Sequence, residues 1–217
     1  SGTPASFTRS RSLLAAMDCE HRGRVKMMRF TPPAEPANFE EKVRKAGNNW
    51  LVKNPDTKPK DFWSTFKPEL AKCCHNLCNY SVMFIPSRMG TIDHYLSKSK
   101  AQNRHLIYEW KNYRYALQRV NSCKGTYDRQ ILDPFEVEDN WFEIILPSCQ
   151  LILTDTVPDG DRDRAKFTIK QLQLQNSEWV IEQRQEWYRM YLENELNLEG
   201  LEKKAPLIAR AIRKQLN

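Results

Sequence analysis

The residues best equipped for chemistry lie between Asp93 and Lys124: the Asp93-His94 pair, Lys98, Asn112, Asn121 and Lys124 itself. Hydrolysing a phosphodiester needs a base to activate water and a cation to absorb charge on the leaving oxygen. Histidine is the natural base near neutral pH, which makes His94 the candidate. The Asp93 carboxylate and the Asn121 amide oxygen are hard donors of the kind Mg²⁺ or Mn²⁺ takes. Asn121 and Lys124 are three apart, so on a helix they share a face, and Lys124 is expected to approach the scissile or a neighbouring phosphate. Lys98 lies just beyond the base and is a second expected nucleic-acid contact. Asn112 is expected to bond the backbone of the intervening loop and so orient His94. Taken singly these signals are weak. An Asp-His dipeptide is more often a surface or core polar pair, and Asn121 alone serves as well as a helix cap.

Adjacent residues of a strand point to opposite faces, so Asp93 and His94 can serve one site only where a strand ends and the backbone twists. The elements that would arrange this are legible. Tyr80 to Ile85 is rich in strand formers and is closed by Pro86 and Ser87. Arg88 to Gly90 reads as a turn, and Gly90 to His94 as a second short strand. Lys98 to Leu106 is polar and loop-like, Tyr108 to Tyr115 is aromatic-rich, and Leu117 to Lys124 has helical spacing. Strand, loop, strand and short helix, with polar residues at the junctions, is the order of a ββα metal-binding core.

On these residues the chain resembles the HNH endonuclease family, in particular its bacterial branch. The resemblance is carried by the Asp-His-aromatic-x-x-Lys-Ser run at Asp93 to Ser99, Tyr-Glu-Trp-x-Asn-aromatic at Tyr108 to Tyr113, Asn-x-x-Lys-Gly at Asn121 to Gly125, and Leu-Asp-Pro at Leu132 to Pro134. It is specific over about 45 residues and loose over about 150. It implies that His94 is the general base, that Asp93 and Asn121 ligate the metal, that Asn112 orients the base and that Lys124 approaches phosphate. It also implies a place in bacterial anti-phage defence, commonly beside an ATPase partner. Many members bind a structural zinc through two Cys-x-x-Cys pairs. Here the corresponding positions are Cys78, Ser81, Leu117 and Val120, so no structural zinc is expected there and an apolar contact should replace it. A displaced site drawing on Cys73, Cys74, His75, Cys78 or Cys123 is the rival, and it lacks a second ligand pair.

The rest of the chain is expected to wrap this unit, giving an α+β fold with a small ββα core between helical flanks. Residues 1–26 read as a flexible segment, 27–77 as a helical one, 78–134 as the nuclease core and 135–217 as a strand-plus-helix extension. Met27 to Phe30 reads as a short strand. A helix is expected from Phe39 to Val52, with Asn38 and Glu41 at capping-box spacing. A second covers Asp61 to Asn76, offset near Pro68. One or two strands fall within Trp141 to Leu153, a charged turn surrounds Pro158-Asp159-Gly160, and helical spacing resumes from Thr168. Val180, Trp187, Tyr188, Tyr191 and Leu192 would share one helix face, and a last helix would follow Pro206.

The formal net charge of +7 over 217 residues suits a polyanionic partner such as DNA, and equally a merely soluble basic surface. Six cysteines without a secretory signal point to reduced thiols and a cytoplasmic protein, and no stretch approaches the ~18 apolar residues of a membrane span. The leading expectation is a metal-dependent DNA endonuclease. The alternative is a nucleic-acid-binding or scaffolding subunit that keeps the fold without the chemistry. DNA versus RNA, strandedness and any base preference stay open.

Overall fold

The computed structural model describes residues 30–216. The expected flexible segment and nearly all of the strand expected from Met27 lie outside them. Among the described residues the fold is mixed, with two small antiparallel sheets and helices packed around them.

The N-terminal flank opens with a wide turn of π-helix, Glu40–Lys45, that runs into α1, Ala46–Lys53. No capping box forms. Asn38 contributes its backbone carbonyl, which accepts from the Lys42 N–H at 3.1 Å. The wide turn buries Phe39 and Val43, and Phe39 packs edge-on against Phe66, Trp110 and Tyr113 at 5.2–5.8 Å. The second helical stretch starts as a 3₁₀ turn, Trp63–Phe66, and becomes α2, Lys67–Cys73, with Pro68 in its first turn, where a missing N–H costs nothing.

The central sheet pairs β1, Gly90–His94, with β2, Tyr113–Leu117. The expected strand at Tyr80 to Ile85 is absent. Those residues form a tight turn, with Val82 N–H bonded to the Cys78 carbonyl at 2.9 Å, Val82 at φ 55° and only an isolated bridge between Leu77 and Phe84. Their bulk goes into plugging the core. The partner of β1 comes from the aromatic-rich stretch instead. Tyr113 to Ala116 are buried on both faces of the sheet, which erases the alternation by which a half-exposed strand is recognised. Gly90 has a steric reason. The Tyr115 ring lies across it, and a Cβ there would fall inside that ring.

The chain passes directly from β2 into α3, Gln118–Lys124, which Gly125 ends with φ 51°. The order β1–loop–β2–α3 is therefore present, one strand further along the chain than the sequence indicated.

Beyond it, β3 (Phe142–Ile145) and β4 (Gln150–Leu153) form the expected hairpin. The next helix, α4, runs Asp159–Gln171, starting well before Thr168. Pro158 precedes its first turn, and Asp159 and Asp161 favour the positive helix end. The sequence signal for a turn at Pro158-Asp159-Gly160 was a helix start. The C-terminal layer is α5 (Glu178–Leu192), α6 (Leu198–Lys204) and α7 (Pro206–Leu216). Trp187, Tyr188 and Tyr191 pack on the core formed by Leu201, Ala205, Ile208 and Ile212, while Leu192 stays exposed. This layer is tied to the centre by the Phe84 N–H, which donates to the Lys204 carbonyl at 2.8 Å. No helix among the described residues is long and apolar enough to cross a membrane.

Candidate functional site

β1 ends at His94, opposite Tyr113 in register. The imidazole lies between Trp63 and Tyr113, edge-on to both at 4.7 and 5.0 Å. Its Nε2 is 2.9 Å from the Ile107 carbonyl oxygen. A carbonyl can only accept, so Nε2 carries the hydrogen and Nδ1 keeps its lone pair. The Tyr113 hydroxyl donates to the same carbonyl at 2.9 Å and helps fix it. Burial pushes the His94 pKa down to about 3, and the Lys98 and Lys124 ammonium groups act in the same direction. The ring is therefore a neutral base throughout the physiological range.

Asp93, one residue earlier, is also buried. Its Oδ2 accepts from the Tyr80 hydroxyl at 2.5 Å and its Oδ1 from Lys124 Nζ at 3.0 Å. Lys124 has no exposed surface and also donates to the His94 carbonyl at 2.9 Å. Its expected approach to phosphate is corrected: the side chain turns inward. Helix side chains slant toward the N-terminus, so from the last turn of α3 the lysine reaches back across the sheet to β1. Asn121 sits one turn earlier on that face. It is half-buried, and its amide makes no hydrogen bond among the described residues.

Asn112 bonds the backbone of the loop between the strands. Its Oδ1 accepts from the Leu96 N–H at 2.8 Å, and its Nδ2 donates to the Leu96 and Leu106 carbonyls at 3.0 and 3.1 Å. One amide thus joins Leu96 to Leu106, the residue before the Ile107 carbonyl. Lys98 extends outward and is exposed, with its ammonium 4.3 Å above the Trp63 ring. Partial burial against that ring lowers its pKa, while Asp61 and Asp93 oppose the shift. Asp93, His94, Lys98 and Lys124 thus lie within electrostatic reach of one another.

Asp93 and Asn121 suit a hard cation by chemistry, one anionic and one neutral oxygen donor on facing elements. Two protein ligands are the usual complement for Mg²⁺, which keeps several waters. The Asn121 amide is uncommitted, and each Asp93 oxygen uses one of its two lone pairs in the bonds described. Lys124 already balances the Asp93 charge, so a cation there would share the carboxylate with the ammonium. Among Cys78, Ser81, Leu117 and Val120, Val120 is buried in the core, Leu117 packs on it, and the Cys78 sulfur accepts the Leu117 N–H at 3.4 Å. Cys74 points elsewhere, to Asn79 Oδ1 at 3.6 Å.

Three features escaped the sequence. Tyr80, taken for a strand residue, braces Asp93. Asp128, between the Asn121–Gly125 and Leu132–Pro134 runs, accepts from the Ser97 N–H at 2.8 Å, from Asn103 Nδ2 at 3.0 Å and from Lys100 at 3.0 Å, clasping the loop after His94. Arg114, opposite Asp93 in register, is buried and bidentate to Asp133 at 2.7 and 2.5 Å. The Asp-Pro dipeptide at 133–134 was the available signal for a fixed turn, and its partner nineteen residues away was not.

The chain matches no protein-family model, and no curated protein matches it.

Proposed function

We propose that this protein is a metal-dependent endonuclease that hydrolyses phosphodiester bonds in DNA. The observation that carries the proposal is the fixed tautomer of His94: with Nε2–H held by the Ile107 carbonyl, Nδ1 is the basic atom, one residue from a carboxylate suited to a cation. In the proposed reaction Nδ1 takes a proton from the attacking water; burial holds the free ring's pKa near 3, and the negative charge of the substrate phosphate, set against the Lys98 and Lys124 ammonium groups, raises its proton affinity in the complex. The Asn112 clasp keeps the loop, and with it the Ile107 carbonyl, in register with the ring. Lys98, exposed and beside His94, meets the substrate's phosphates. Asp93 and Asn121 would hold Mg²⁺ or Mn²⁺, which when bound supplies positive charge to the scissile phosphate and its leaving oxygen. Lys124 holds the Asp93 carboxylate in place. A role in anti-phage defence, beside an ATPase partner, follows from the resemblance to HNH proteins.

A second reading has its own support. The Asp93–Lys124 pair is buried and already neutral, as expected of a polar core in a nucleic-acid-binding or scaffolding subunit. Supercoiled plasmid incubated with the full chain and Mg²⁺, with EDTA as control, separates the two when Asn121→Ala is assayed alongside. A nuclease nicks the plasmid, EDTA stops it, and Asn121→Ala raises the Mg²⁺ concentration required. A folded protein that binds DNA and never nicks it is the scaffold.

A further inference from the structure

A second feature borders the loop after His94. Tyr95 and Asn112, the residues just beyond the paired ends of β1 and β2, line a cleft of about 590 Å³ whose far wall is the segment after α3 and the side of α4. Its floor is Arg114, almost fully buried, stacked 3.9 Å over the Phe135 ring and neutralised by Asp133. Its walls carry three more cations. Lys111 and Arg129 stand on opposite sides, both exposed, and neither side chain has a hydrogen bond or ion pair among the described residues. Arg164 pairs with Asp161 at 3.0 Å, yet its Nε–H is buried without an acceptor. With Asp133 consumed by Arg114, Glu136 is the one lining carboxylate left to oppose them.

We propose that this cleft is the track for the sugar–phosphate backbone of the strand flanking the scissile phosphate, with Lys111 and Arg129 making the phosphate contacts. The nuclease reading supplies the identity of the polyanion, and the site itself stands on the cleft. Uncommitted cations on both walls of a concave surface that starts at the residue after the base are placed to hold a chain of phosphates passing through. Glu136 at the same surface sets an upper limit on affinity, since it repels the ligand that the lysine and arginine attract.

The test is equilibrium binding of a fluorescein-labelled duplex and the matching single strand to the full chain in EDTA, over a salt series. Lys111→Glu with Arg129→Glu is compared with Lys203→Glu and Lys214→Glu, an exposed pair on the C-terminal helices that changes net charge equally. Each phosphate contact contributes about 0.9 to the slope of log affinity against log salt on duplex and about 0.7 on single strands. The cleft variant should bind at least tenfold more weakly, with a slope lower by about 2, while the control stays within about threefold of wild type. Glu136→Gln should bind about two- to threefold more tightly, a gain that unfolding cannot produce. Equal losses in both charge-reversal variants, or unchanged affinity in the cleft variant, overturns the assignment. Unchanged affinity would leave the cleft to an acidic protein. Because binding is read without metal, a cleft that holds DNA in a protein that never cuts sustains this inference and removes the nuclease. Cutting that survives the cleft variant with unaltered KM does the reverse.

Discussion

Lys124 Nζ lies 3.0 Å from Asp93 Oδ1, with the lysine wholly out of solvent and the carboxylate nearly so. Removing either partner strands the other charge in a low-dielectric core, which typically costs ~3–5 kcal/mol. Lys124→Met should therefore lose roughly 3 kcal/mol in urea denaturation, and Asp93→Leu a similar amount. The double variant should recover most of either loss. Strictly additive losses would show that the two charges are not coupled.

The His94 ring gives stability a pH dependence of definite sign. Its folded pKa lies near 3, below its ordinary value of 6.5, so between those values the unfolded chain binds a proton that the folded chain refuses. Stability contributed by neutral His94 is complete above about pH 6.5 and is lost as pH falls toward 3. By about pH 5 the loss should be roughly 1.5–2 kcal/mol relative to neutral pH. Urea midpoints measured from pH 7.5 to 5 should fall in the wild type and fall less in His94→Gln. Parallel curves would show that folding does not depress the His94 pKa.

Asn112 joins Leu96 to Leu106 through three hydrogen bonds from one amide. Asn112→Ala should cost about 2–3 kcal/mol, since buried backbone groups lose their partners. It should also raise amide exchange in the loop between the strands more than elsewhere. Protection that falls evenly across the chain would make Asn112 an ordinary core residue and not a loop clasp.

Arg184 is among the most deeply buried side chains. It donates to the Cys149 carbonyl at 3.1 Å, has a buried Nη2 with no partner, and burial lowers its pKa to about 10. Replacing a poorly compensated buried charge with an apolar residue of similar length is often neutral or stabilising. Arg184→Met should therefore stay within about 1 kcal/mol of wild type in thermal or urea denaturation. A loss above about 3 kcal/mol would reveal a counter-charge bound there.

How far the sequence could be read depended on what each residue was used for. β1 was legible because Gly90, Thr91 and Ile92 lead into a polar end at Asp93-His94. β2 was hidden because Tyr113 to Ala116 are buried on both faces and show no period of two. Tyr80 to Ile85 misled for the opposite reason, its strand formers serving as core plugs around a left-handed Val82. The role of Asn112 could be argued locally, since an amide between two loop ends has few other uses. The burial of Lys124 could not, because lysine is the residue least often found without solvent, and only the fold places Asp93 within its reach. The Arg114–Asp133 pair and the cleft above it depend on long-range packing that no local pattern records.

The most direct test compares plasmid nicking by wild type and His94→Ala at saturating Mg²⁺, with circular dichroism confirming that both are folded. A positioned base is typically worth ~10²–10⁴ in rate. The expected result is nicking by the wild type and at least a hundredfold loss in His94→Ala. Equal nicking by the two folded proteins would remove His94 Nδ1 from the chemistry, and the proposed mechanism with it.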